Sequence, residues 1–186
     1  MEKIKIDNNA FVYPMPVVLI GAVVKSKENF MAVGWVSRVN YKPPLIAVAL
    51  GPHHTNKGID EHKAFSVNIP DITLMEKTDY CGLVTGSKTD KSQVFNIFYG
   101  EIKGAPLIKE CPVCMACKVH EAIKLPFNTL YIGEICEAFT EERYLTSGNP
   151  DIKKMNPFTL TMPDNNYWDV GNNIGKAWSI GKKLKK

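Results

Sequence analysis

Apolar and β-branched residues occur along this chain in short runs cut by turn residues, a spacing that predicts strands more than helices. Residues 16–24, PVVLIGAVV, are nearly all apolar and read as a strand buried on both faces, with residues 25–29 as its polar turn. Strands are predicted next at 31–40 and 45–50, parted by Tyr41-Lys42-Pro43-Pro44, where two prolines lack the donor that a central ladder needs. Residues 63–69, KAFSVNI, alternate and stop at Pro70, while 115–125 and 129–139 flank Pro126-Phe127-Asn128 as a hairpin. Helical signals are fewer: Thr55 caps a short helix through His62, Asp71 opens another to about Tyr80, and 91–99 form a third. From Leu145 onward Asn, Pro and Gly are frequent, which predicts an extended arm with a short terminal helix, suited to lie on a partner subunit. The pattern is that of a mainly β protein with a few flanking helices. Periodicity does not separate a small barrel from a sandwich.

Composition narrows the picture. A chain of 186 residues with 45% hydrophobic content suits one globular domain with a sizeable core. The net charge of +4 owes much to Lys176, Lys182, Lys183, Lys185 and Lys186, which read as a solvated terminus, so no nucleic-acid partner is expected. The opening MEKIKIDNNAFVYPMP lacks the uninterrupted apolar run of an export signal, and no stretch approaches the ~18–20 apolar residues of a membrane span. A cytoplasmic protein is expected, without a membrane partner, and its five cysteines are expected as thiols, ligands or redox groups.

Three segments carry candidate chemistry. Trp35, Val36, Ser37 and Arg38 set an aromatic face, a hydroxyl and a guanidinium close together, a combination suited to a planar ring bearing a phosphate. Leu50 and Gly51 end a strand that leads through His53 and His54 into the helix at Thr55, offering backbone N–H groups, a hydroxyl and Lys57 at a positive helix end. An ordinary capped helix carries the same signature. Adjacent side chains on a loop diverge, so one histidine is expected to face a ligand there, taken as His54. Residues 80–91, YCGLVTGSKTDK, crowd glycines, hydroxyls and lysines into a loop that can wrap an anion, as solvated turns of that composition also do.

In order and spacing these segments resemble the flavin reductase-like family of FMN-binding split barrels, which includes the flavoredoxins, and the likeness runs over residues 11–139. The resemblance implies a split β-barrel with a Greek-key core, usually a homodimer with FMN near the subunit interface. Thr55 with Ile59 matches the family's Thr-x-x-x-Ile pattern at the flavin phosphate. Cys81, Gly82, Thr85, Gly86, Asp90 and Lys91 match its Cys-Gly-x-x-Ser/Thr-Gly-x-x-x-Asp-Lys run, which makes Lys91 a phosphate contact and sets Cys81 near the flavin. One departure is Met31-Ala32-Val33-Gly34, where many members carry Asn or Thr, so contacts there fall to the backbone.

The run Cys111-Pro-Val-Cys114-Met-Ala-Cys117-Lys-Val-His120 contains part of a ferredoxin-type cluster pattern. A fourth cysteine at the following spacing is missing, and on a strand Cys117 and His120 point to opposite faces. Many members of the resembling family carry the Cys-Pro and the later Cys-Lys-Val without metal, which leaves Cys114 as the extra residue. A regulatory thiol pair, Cys111 with Cys114, is the other reading, and Cys136 reads as a buried small apolar residue. His62 reads as a helix-end residue, and Tyr167, Trp168 and Trp178 as anchors of the arm.

No Ser-His-Asp or Cys-His-Asp arrangement is suggested, and no catalytic side chain is assigned. If flavin binds, the ring carries the chemistry, and with no Gly-x-Gly-x-x-Gly turn NADH or NADPH would dock over its open face. The expected function is flavin-dependent reduction or electron transfer. A non-catalytic FMN carrier served by a separate reductase or redox protein is the alternative. A cysteine-based metal or redox-sensing protein is the second.

Overall fold

The computed structural model describes residues 1–184; Lys185 and Lys186 of the lysine tail lie outside the described residues. In chain order its strands and helices are β1 (Met15–Pro16), β2 (Val18–Val24), β3 (Lys27–Val33), β4 (Val36–Asn40), β5 (Leu45–Leu50), α1 (Thr55–His62), β6 (Ala64–Ile69) and α2 (Met75–Leu83). There follow β7 (Ile97–Phe98), β8 (Leu107–Ile108), β9 (Val113–Lys124), β10 (Thr129–Thr140), β11 (Leu145–Thr146), β12 (Asn149–Pro150), α3 (Ile152–Met155), β13 (Phe158–Thr161) and β14 (Asn166–Asp169).

Seven strands form one antiparallel sheet in the order β3-β2-β6-β9-β10-β5-β4. The strands at its two edges, β3 and β4, are consecutive and separated only by Gly34 and Trp35. A chain that pairs at one edge and, two residues later, at the other draws those edges together, so the sheet curls into a split barrel rather than an open sandwich. The β9–β10 hairpin, inserted between β6 and β5, supplies the Greek-key step. At the β2–β3 turn Lys25 and Ser26 take left-handed φ values of 50° and 63°, the mirror-image turn that suits strand twist.

Two apolar clusters follow from strand alternation. One fills the barrel with Ile20, Val48, Leu50, Ile59, Phe65, Val67, Cys117 and Tyr131. The other packs Leu19, Phe30, Phe95, Leu107, Ile108, Cys111 and Cys114 between the barrel wall, α2 and the segment before β9. Each fully buried aliphatic or phenyl side chain contributes about 1.5–3 kcal/mol. Asp71 accepts from the Thr73 backbone N–H and caps the 3-10 turn Ile72–Leu74 that leads into α2, as its sequence position predicts.

Several features differ from the sequence reading, among them the expected strand at 31–40, which is divided between β3 and β4. Residues 91–99 form turns ending in β7, not a helix, because the Lys91 side chain is drawn inward and Asp90 caps Ser92 in an Asx turn instead. Thr55 is the first residue of α1 and not its cap; its hydroxyl accepts from Asn29. The region from Leu145 is folded through Asp169: β13 and β14 form a hairpin on β1, with Phe158 and Tyr167 in edge-to-face contact. Cys136 is exposed: Ile135 beside it takes the inward position, and the register shift between Ile135 and Glu137 leaves Cys136 without a partner in the ladder. Tyr167 anchors the hairpin by donating to Asp79 and Trp168 donates to Thr161, but Trp178 is 95% exposed and anchors nothing. Among the described residues no helix is long and apolar enough to cross a membrane.

Helix α1 lies against β2 at Gly58, where an added Cβ would fall 2.2 Å from the Val23 carbonyl oxygen. Helix propensity alone favours alanine there by about 1 kcal/mol. The clash dominates, so Gly58→Ala is expected to lower stability by roughly 1–3 kcal/mol in urea unfolding, and a gain would refute the packing argument.

Candidate functional site

A continuous groove runs along one side of the barrel through three adjoining cavities. The first, of about 290 Å³, is lined by Lys25, Lys27, His54, Lys57, Gly86 and Lys91 among others. It shares Asn29, His54, Gly86 and Lys91 with a narrower middle cavity of about 140 Å³, where Ala32, His53, Thr55, Cys81, Gly82 and Thr85 converge. The middle cavity shares Met31, Ala32 and His53 with a third of about 340 Å³, walled by Trp35, Leu50, Gly51, Phe127 and Leu160. The groove therefore passes from cationic through polar to apolar and aromatic.

The cationic end is built around the buried Lys91. Its ammonium donates to the Phe30 carbonyl at 2.9 Å and the Cys81 carbonyl at 2.8 Å, joining β3 to the end of α2. Two of its three donors are thus used and one remains. Burial lowers the Lys91 pKa from its ordinary value and lifts that of Cys81 to about 11, so the Cys81 thiol stays protonated at neutral pH. At the rim Lys27 pairs with Asp90 at 2.7 Å, which holds that carboxyl well below the usual carboxylate range. Glu28 accepts from Tyr99. Lys25 and Lys57 make no ion pair among the described residues.

In the middle of the groove Asn29 donates to the Thr55 hydroxyl at 2.7 Å, and both residues are buried. Gly86 passes so near Asn29 that a Cβ on it would fall 1.9 Å from the Asn29 Oδ1. Only a residue without a side chain lets the loop close there. The His54 Nδ1 is buried without a hydrogen-bond partner, and burial followed by Lys57, Lys25 and Lys91 depresses the His54 pKa. A buried, unpartnered ring nitrogen beside a cavity fits a site that awaits a polar ligand. His53 is also shifted down, chiefly by burial and then by Lys91.

The structure brings together Trp35, Leu50, Gly51, His54, Thr55, Cys81, Gly82, Thr85, Gly86 and Lys91 along the groove. Val36 and Ser37 line an adjoining cavity beneath the N-terminal segment, which shares Gly34, Trp35 and Ala49 with the apolar end of the groove. Arg38 lines none of these cavities, and its guanidinium donates to the carbonyls of Asn40 and Tyr41. His53 and His54 both line the middle cavity, His54 extending to the cationic end and His53 to the apolar end. Phe127, at the β9–β10 turn, and Leu160, on β13, were missed, and only tertiary folding brings them to Trp35.

The cysteine run does not form a metal centre: among the described residues no group of three His, Cys, Asp or Glu side chains is placed to hold an ion. Cys111 and Cys114 belong to the outer apolar cluster, Cys117 to the barrel interior, and His120 is exposed.

A family model described as flavin reductase like domain matches residues 10–160. Flavoredoxin from Methanosarcina acetivorans is 55% identical, with a TM-score of 0.98 and 100% of both chains covered. Flavoredoxin of Desulfovibrio vulgaris (Miyazaki F) is 33% identical with a TM-score of 0.88, covering 96% of this chain and 100% of that one. An uncharacterized protein of Archaeoglobus fulgidus is 32% identical over 145 residues, 76% of this chain and 81% of that protein. At 19% identity, an FMN-binding protein from Thermus thermophilus shares the fold with a TM-score of 0.80 over 95% of this chain and 98% of that one.

Replacing Thr55 with Val keeps the volume and strands the Asn29 amide in the interior. Thr55→Val is expected to cost about 1–3 kcal/mol in chemical unfolding. An unchanged midpoint would mean that the Asn29 bond does not hold the floor of the groove.

Proposed function

The chain belongs to the flavin reductase-like family, and from that premise we propose that it binds FMN and carries out flavin-dependent reduction or electron transfer. The observation that carries this reading is the polarity of the groove, cationic at one end and aromatic at the other, with a buried unpartnered nitrogen between them. Lys25, Lys57 and the Thr85 hydroxyl would hold the phosphate, with Lys91 fixing the loop and keeping one donor free. Trp35, Met31, Leu50 and Phe127 would flank the ring, and Cys81 and Gly82 would close its side. Bound FMN supplies a ring that accepts and releases electrons or hydride. The protein supplies position, a low-dielectric wall and neutral imidazoles at His53 and His54 that exchange or orient protons.

NADH or NADPH is proposed as the donor, docking over the ring end beside Trp35 and Phe127, with no residue assigned as catalytic. A second reading, an FMN electron carrier served by a separate redox protein, is favoured by the likeness to two flavoredoxins. We place the protein in the cytoplasm, as a homodimer with FMN near the subunit interface. Trp35 and Phe127 expose apolar surface at the ring end, and a second copy would cover it. Ser37 and Arg38 are exposed on the edge strand β4.

Purified protein is expected to show flavin absorbance near ~450 nm and to release FMN on denaturation. Anaerobic bleaching by NADH or NADPH supports a reductase; bands that persist until dithionite is added support the carrier. A colourless protein that does not take up added FMN overturns both. The double variant Lys25→Ala, Lys57→Ala is expected to weaken FMN binding about 10- to 100-fold while leaving riboflavin binding unchanged. Equal losses for both ligands would remove the phosphate from that end.

A further inference from the structure

We propose that Cys111 and Cys114 form a redox-active dithiol, separate from the flavin groove, that exchanges with small organic disulfides entering the cavity beside it. The cavity measures about 530 Å³ and is lined by Phe98, Cys111, Cys114 and Phe139, with Lys109, Thr140 and Glu141 exposed at its mouth. It shares no lining residue with the groove cavities. The pair is gathered about one atom. The Ile108 carbonyl accepts from the Cys111 backbone N–H at 3.2 Å and from the Cys114 thiol at 3.1 Å, and the Cys114 sulfur also lies 3.7 Å from the Cys111 carbonyl oxygen. Both thiols are free and buried, and the cavity is their route to a reagent.

The other cysteines are placed differently. Cys117 points into the barrel, Cys81 lines the groove and Cys136 is exposed. Cys111 and Cys114 share a wall of one cavity, and none of the other three lines it.

The step balances as follows. One thiol loses its proton and attacks the sulfur–sulfur bond of the small disulfide, forming a mixed disulfide and releasing one small thiol. The second then attacks the protein sulfur of that bond, forming Cys111–Cys114 and releasing the other small thiol. The dithiol loses two electrons and two protons, and the organic disulfide gains both. Burial pushes Cys114 up to about 12, with Glu110 adding to the shift and the Ile108 hydrogen bond opposing it, and it pushes Cys111 well above the ordinary range, with Cys114, Glu110 and Asp71 adding to the shift. Lys109 and Glu141 are the charged groups at the cavity mouth. The thiolate fraction is small at neutral pH, so exchange is slow and rises about tenfold per pH unit between about 7 and 9. A reduced form that gains little from ionising also leaves the disulfide favoured once made.

The test treats the intact reduced protein with excess 2-hydroxyethyl disulfide at several pH values, quenches in acid, then denatures, alkylates and sequences the tryptic peptide 110–118 by mass spectrometry. The expected result is a Cys111–Cys114 link, two hydrogens lighter, with Cys117 and Cys81 alkylated and exposed Cys136 reporting that the reagent is active. In Cys114→Ala, Cys111 is expected to stop at the mixed disulfide, heavier by one mercaptoethanol residue. A peptide that keeps three alkylated cysteines while Cys136 reacts overturns the proposal, as does a link that involves Cys117. Should Cys114→Ala not fold, the wild-type peptide alone decides. Flavin content plays no part in the readout, so failure here leaves the flavin reading untouched.

Discussion

Everything in this molecule depends on one short crossing, the two residues that join the strands at opposite edges of its sheet. Lys27–Val33 pairs with β2, Val36–Asn40 pairs with β5, and the two residues between them leave no slack for an open sheet. The Trp35 carbonyl accepts from Ala49 at 3.0 Å, so pairing with β5 begins as soon as the strand has crossed. Closure encloses the cluster around Phe65, Val67 and Tyr131, and the crossing is where Trp35 meets the apolar end of the groove. The site is therefore a product of how the barrel closes: the residues that change sheet edge also form its wall.

The polar half of the groove rests on a buried cation. An ammonium in an apolar setting is costly, and here the carbonyls of Phe30 and Cys81 offset the cost by replacing lost water. Those bonds pin the loop after α2 against β3, and Gly86 allows the close approach to Asn29 that completes the floor. Such an arrangement holds a positive field beside the groove without exposing the charge, while Lys25 and Lys57 remain at the surface to meet a ligand directly.

How far the sequence could be read follows from the range of each interaction. The strands at 18–24, 45–50 and 64–69 were legible because their apolar runs are local and unbroken, and the Thr55 and Cys81–Lys91 segments because each is contiguous in the chain. The helix expected at 91–99 was not found: its first side chain makes a tertiary contact with Phe30, 61 positions away, which no local propensity records. Cys136 misled for a different reason: a small apolar residue within a strand reads as buried, whereas its neighbour Ile135 takes the inward position and Cys136 is left unpaired and exposed at the register shift. Phe127 and Leu160 carry no local signal for a ligand at all. They reach Trp35 only after the hairpin tip and β13 have folded over the barrel. Arg38 shows the converse, because its spacing from Trp35 suggested a shared site, whereas the strand end ties its guanidinium to Asn40 and Tyr41.

The cysteine run shows how secondary structure reassigns a motif. On a flexible loop, Cys-x-x-Cys-x-x-Cys can wrap a cluster, because three sulfurs converge on one point. Here Val113 begins a strand, and the two-residue period of its side chains sends positions three apart to opposite faces. Cys114 joins Ala116 in the outer cluster, while Cys117 joins the barrel interior. Cys111 escapes that rule because it precedes the strand, in a turn held to the Ile108 carbonyl, and so folds back toward Cys114. The strand divides three cysteines into a facing pair and one core residue. Among the described residues no three His, Cys, Asp or Glu side chains are placed to hold a metal ion, and Cys111 and Cys114 are left together on the wall of one cavity.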